Sequence, residues 1–166
     1  MKKIISILVF VLIIVAGLFQ YSKNHEPEIN YERFNLVAPG ILRTPDERFQ
    51  NIIDYPYSPN YLTIGDTRIH YLDEGPRDGE IIYLLHGEPA WSYLFRKLIP
   101  TLTQAGYRVI APDMVGFGKS DKYISIDDYS HQMHVDKMTQ LIVKLDLKNI
   151  TAHVHDWGGL VGLRVV

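Results

Sequence analysis

The stretch His153-Val154-His155-Asp156-Trp157-Gly158-Gly159 decides the fold, because it sets one carboxylate between strand-forming residues and a pair of glycines. Taken alone, such an aspartate is a turn residue or a helix N-cap as readily as a reactive group. Its neighbours decide. Residues 149–155 are strand-like and residues 160–166 look like the start of a helix, so Asp156 falls where a strand ends and a helix begins. In open α/β sheets ligands bind along that edge.

Outward from there, strand signals at 68–75, 80–87 and 107–113 alternate with helical periodicity at 93–106 and 127–146. Residues 80–87 form a short continuous apolar run, as expected of a strand buried on both faces. The segment 93–106 carries Leu94, Leu98 and Leu102, ends at Gly106, and is expected to kink or restart at Pro100. In 127–146, Met138, Leu141, Ile142 and Leu145 share a face, with Asp127 or Asp128 as the expected N-cap. This order predicts an α/β domain over residues 41–166 with a mostly parallel sheet and flanking helices.

Of the 166 residues, 46% are hydrophobic and 11% aromatic, enough for a packed core. Net charge is −2 with no basic tract, which argues against a nucleic-acid partner. The chain has no cysteine, so disulfides, thiolate metal sites and thiol nucleophiles are excluded. At the N-terminus, Lys2 and Lys3 precede an apolar run from Ile4 to Phe19. Residues 1–19 are expected to be a signal peptide or an N-terminal membrane anchor, and the lack of an A-x-A cleavage site favours the anchor. The lysines imply an N-inside orientation. The domain is therefore expected to be membrane-anchored and extracytoplasmic, or secreted or periplasmic if the segment is cleaved. Residues 20–40, polar with Pro27 and Pro39, are expected to be a tether.

A nucleophile raised on a sharp strand-to-helix turn needs small neighbours, and Gly158 and Gly159 are candidates for that role. An ionised carboxylate attacks an electrophilic carbon without a general base, but hydrolysing the resulting ester requires an activated water. A second loop fits the first. His86-Gly87 follows a buried strand, the position from which α/β-hydrolases supply an oxyanion-hole N–H, here that of Glu88. Other patterns fail. Residues 116–120, GFGKS, lack the glycine a phosphate-binding loop needs at position 113. His131 and His134 are spaced to share a helix face but have no third ligand, and are expected on a wet face. His153 and His155 share a strand face from which Asp156 points away, so no metal site is expected.

At residues 86–100, 108–122 and 146–163, and in LRTPDERFQNIIDYPYSPNYL (42–62), the chain closely resembles the haloalkane dehalogenases of the α/β-hydrolase fold. The resemblance runs from about residue 41 to 166, and implies the N-terminal part of that fold, truncated after the nucleophile elbow. It implies Asp156 as nucleophile, Trp157 as halide-holding indole, and the Glu88 and Trp157 backbone N–H groups as oxyanion hole. The implied substrate is a small haloalkane, and no metal or organic cofactor is needed. His155 departs from the glutamine many dehalogenases carry, and HDWGG is also wording found in epoxide hydrolases, the alternative reading. The expected general-base histidine and its acid partner follow the nucleophile in this fold. They are absent from this chain, which alone is expected not to turn over. A third reading is a catalytically inactive, membrane-tethered fragment.

Overall fold

The computed structural model describes residues 12–18, 20–21 and 35–166, in a chain that divides into two units, Met1–Arg33 and Phe34–Val166. In the first, residues 12–18 and 20–21 are helical (α1). Much of the expected anchor at 1–19 and most of the expected tether at 20–40 lie outside the described residues. Among the described residues, no helix is long and apolar enough to cross a membrane.

The second unit begins inside the stretch expected to be tether. There β1 (Leu36–Ala38) pairs antiparallel with β2 (Ile41–Leu42), and β2 pairs antiparallel with β7 (Lys122–Tyr123) to give a small three-stranded sheet. The main sheet contains β3 (Asn60–Ile64), β4 (Thr67–Glu74), β5 (Ile81–Leu85), β6 (Arg108–Pro112) and β8 (Thr151–Val154) in the order β3-β4-β6-β5-β8. The sheet is mixed. Strands β6, β5 and β8 run parallel, whereas β3 and β4 form an antiparallel hairpin that joins β6 antiparallel.

Alternation along the strands separates two cores. Tyr83, Leu85 and Ile110 face Met138 and Leu141 of α3 (His131–Lys144) and Val161 of α4 (Trp157–Gly162). On the opposite face, Leu72, Leu84, Val109 and Ala111 pack against Phe95 and against Ile99 of α2 (Leu98–Gln104). The three layers explain why β5 is apolar at successive positions.

Pro100 acts by restarting the helix. Residues 92–95 form a 3-10 turn, α2 begins at Leu98, and Pro100 falls in its first turn, where a missing N–H leaves no bond unmade. The helix stops as expected at Gly106 (φ +91), with Gly106 N–H donating to Thr103 O and Tyr107 N–H to Leu102 O, each at 3.1 Å. The N-cap of α3 is neither Asp127 nor Asp128 but Ser130, whose Oγ accepts from Met133 N–H at 3.0 Å. The two aspartates sit instead in a 3-10 turn, Ile126–Asp128, capped by Ser125.

Candidate active site

Strand β8 delivers Asp156 to the sheet edge in a conformation that side chains rarely adopt, φ 54 and ψ −124. Strain of this kind costs of order 1–3 kcal/mol and persists only where the surroundings enforce it. The enforcing contacts are backbone. His155 N–H donates to Leu85 O at 3.1 Å, and Gly159 N–H donates to Asp156 O at 2.8 Å. Gly158 lies against the end of β5, where an added Cβ would stand 2.2 Å from Leu85 O and 2.6 Å from His86 O. Gly159 is different. The nearest atom to a Cβ there is 3.8 Å away, so the need for a small residue applies to Gly158 and not to Gly159.

The loop after β5 meets the elbow through two residues. The His86 imidazole is buried, and its Nε2 accepts from Met114 N–H at 3.0 Å. Its proton therefore sits on Nδ1, which donates to Gly87 O at 2.9 Å. Burial lowers the His86 pKa, and both nitrogens are engaged, so this histidine pins two loops together and is not poised as a base. At Gly87 an added Cβ would come within 2.4 Å of the Asp156 side chain. That closeness lets Glu88 N–H donate to Asp156 Oδ1 at 3.0 Å. Hydrogen bonds from the Trp157 and Glu88 backbone N–H groups hold the Asp156 carboxyl below the usual carboxylate range.

The structure thus brings Asp156, Glu88 and Trp157 together. Glu88 and Trp157 also border a cavity of about 400 Å³, whose lining includes Met114, Phe117, Tyr129 and His134. Trp157 is 40% exposed, leaving its indole accessible.

Two polar residues were not singled out correctly from the sequence. The first is Asp113, fully buried, whose Oδ1 accepts from Ser92 N–H (2.7 Å) and whose Oδ2 accepts from Lys119 N–H and bonds His70 Nδ1 (both 2.8 Å). Burial alone would raise its pKa, but these bonds, His70's first, hold it below the carboxylate range. The GFGKS turn is therefore wrapped around a carboxylate of the chain itself. The second is His134, expected on a wet face but only 8% exposed. Burial, with smaller contributions from His86 and His131, pushes its pKa down to about 4. The signal was present: His134 stands four residues before Met138 and seven before Leu141, on the buried stripe of α3. His131 is tied elsewhere, its Nε2 donating to Leu160 O of α4 at 3.0 Å. Among the described residues no group of three or more His, Cys, Asp or Glu is disposed to hold a metal ion.

A sequence-family model described as the alpha/beta hydrolase fold matches residues 80–166. Haloalkane dehalogenases from Psychrobacter cryohalolentis and Mycolicibacterium paratuberculosis are 58% and 56% identical over 131 and 130 residues, or 76% and 75% of this chain. The chain spans 43% of the length of each. A solved tetrameric haloalkane dehalogenase from Paraglaciecola agarilytica matches with TM-score 0.71 at 52% identity, covering 74% of this chain and 43% of that one. An epoxide hydrolase from Vigna radiata matches at TM-score 0.61 and 29% identity, covering 66% of this chain and 35% of that one.

Proposed function

Because the chain belongs to the alpha/beta hydrolase fold family, we propose that it forms the nucleophile-bearing part of a haloalkane dehalogenase. The observation that carries this reading is the Asp156 carboxylate itself, raised on a strained elbow with Oδ1 already held by Glu88 N–H. Oδ1 is occupied, so Oδ2 is the attacking atom. Its lone pair forms a bond to the carbon bearing the halogen while the carbon–halogen bond breaks. The halide leaves with the bonding pair, and the Trp157 indole N–H is the donor available to hold it.

The product of that step is an ester of Asp156. Water then adds to its carbonyl carbon, negative charge develops on Oδ1, and the Glu88 and Trp157 N–H groups stabilise it where it forms. Expulsion of the alkoxide as alcohol regenerates the carboxylate. The water needs a base, which His86 does not provide. In this fold the base follows the nucleophile in sequence, and we place it in the part of the relatives' length that this chain does not span.

Halide release from a primary bromoalkane by the full-length protein tests the proposal. Asp156→Asn should lower it by on the order of a thousandfold or more, with loss of the alkyl mass adduct on the Asp156 peptide. Undiminished release by the variant sinks the reading. The pair His155-Asp156 favours a second reading, epoxide hydrolysis by the same aspartate. Diol formation from an epoxide without halide release from any haloalkane would select it. We propose further that the apolar run at 4–19 anchors the domain at, or delivers it across, a membrane, leaving Lys2 and Lys3 inside.

A further inference from the structure

We propose that Asp113 is a positioning residue for the Glu88 amide: its carboxylate fixes the segment that carries this oxyanion donor, so that its loss slows hydrolysis of the Asp156 ester and spares formation of that ester. The inference rests on the dehalogenase reading for the two steps and on the geometry of two loops for the role. Glu88 N–H, which donates to Asp156 Oδ1, lies in the segment 86–92 that leads from β5 into the 3-10 turn Ser92–Phe95. Two consecutive residues at the end of β6 hold this segment at both ends. Met114 N–H donates to His86 Nε2 (3.0 Å), and Asp113 Oδ1 accepts from Ser92 N–H (2.7 Å). Between these ends Ala90 N–H donates to Gly87 O at 2.9 Å, closing a turn around Glu88.

Asp113 is itself fixed in place. It is fully buried, and its Oδ2 bonds Lys119 N–H and His70 Nδ1, both at 2.8 Å. Against the cost of burial, bonds from His70 and Ser92 keep it ionised, and a charged acceptor holds an amide about twice as strongly as a neutral one. Gly118 packs so closely that an added Cβ would collide with the Asp113 carboxylate and with Trp91. Asp113 bonds neither Asp156 nor Trp157, so it acts through Ser92.

The two chemical steps use the Glu88 amide in opposite ways. In alkylation Oδ2 gives a lone pair to the carbon, the halide leaves with its bonding pair, and Oδ1 loses negative charge, so the amide favours the starting carboxylate over the ester. In hydrolysis a water oxygen bonds to the ester carbonyl carbon, its proton passes to the base, and the carbonyl π pair becomes a negative charge on Oδ1 that the amide must meet. A displaced amide therefore slows hydrolysis and leaves alkylation unchanged or faster.

Rapid quenching of the full-length protein with bromobutane, followed by mass measurement of the Asp156 peptide, gives both rate constants. In Asp113→Asn the side-chain NH2 must face either Ser92 N–H or Lys119 N–H, donor against donor. The rate constant for ester hydrolysis should fall by about tenfold, short of the loss that follows outright removal of an oxyanion donor, while that for ester formation stays or rises and alkylated protein accumulates. Unchanged rate constants, with or without a smaller adduct amplitude, overturn the proposal, because a merely less stable protein behaves in that way. An equal fall in both overturns it too. If Asp113→Asn does not fold, Ser92→Pro removes the N–H in question and leaves the carboxylate its other two partners. Trp91 is extended, as suits a residue before proline, and proline is accepted at the first position of a helical turn, so the same split is expected. Absence of any alkyl adduct from the wild type is a separate result: it sinks the dehalogenase reading, and the proposal falls with it.

Discussion

At Asp156 the chain combines an uncommon backbone with a common side chain, and the two adjacent glycines share that burden unequally. A methyl group at Gly158 would collide with the carbonyls that end β5, whereas at Gly159 it would meet only ordinary contact with Val154. Gly158→Ala should therefore destabilise the protein by on the order of 3 kcal/mol or more, because rigid backbone must move. Gly159→Ala should be neutral or stabilise by up to about 1 kcal/mol, since alanine is the better helix former. Thermal unfolding of the two variants checks this, and equal losses would show that the contact distances misjudge the turn. The position of Asp156 was legible from a strand pattern meeting a helix pattern. Which glycine is indispensable was not, because the obstacle is the end of another strand about seventy positions earlier.

Helix α3 carries its own pH response on its buried face. His134 has a pKa of about 4 when folded, against the ordinary value of 6.5. Between those values the unfolded chain binds a proton that the folded chain does not, so stability rises with pH through this window. It is fully present above pH 6.5 and lost as pH falls towards 4, by on the order of 3 kcal/mol. Urea midpoints measured across the window should follow that slope in wild type and flatten in His134→Leu; parallel curves would exclude His134 as the source. The long elements, β4 to β6, β8 and α3, were legible because buried faces impose a period on the sequence. The two- and three-residue strands β1, β2 and β7 are too short to show one. The antiparallel insertion of β4 beside β6 was hidden for another reason: a strand covered on both faces has the same apolar pattern in either direction. Ser130 was passed over as N-cap because Asp127 and Asp128, three and two residues earlier, carry the same capping chemistry.

Over the whole chain, composition changes more abruptly than anywhere else between the apolar run at residues 4–19 and the unit that begins at Phe34. The proposed attachment predicts that the protein stays with membranes through an alkaline carbonate wash, and that removing residues 1–19 releases it. Recovery of the unprocessed chain in the wash would refute anchoring. Most of the packing that positions the candidate nucleophile comes from distant sequence: the Glu88 amide and the Asp156 carboxylate are 68 residues apart. The parallel pairing of β5 with β8 must close a loop of similar length, a slow step for any chain. Until it closes, nothing compels the aspartate into its strained geometry or supplies the amide at its oxygen. On the proposed function, a newly synthesised polypeptide meeting an alkylating compound thus exposes an unremarkable carboxylate, and the proposed reactivity would come only as a late event of maturation.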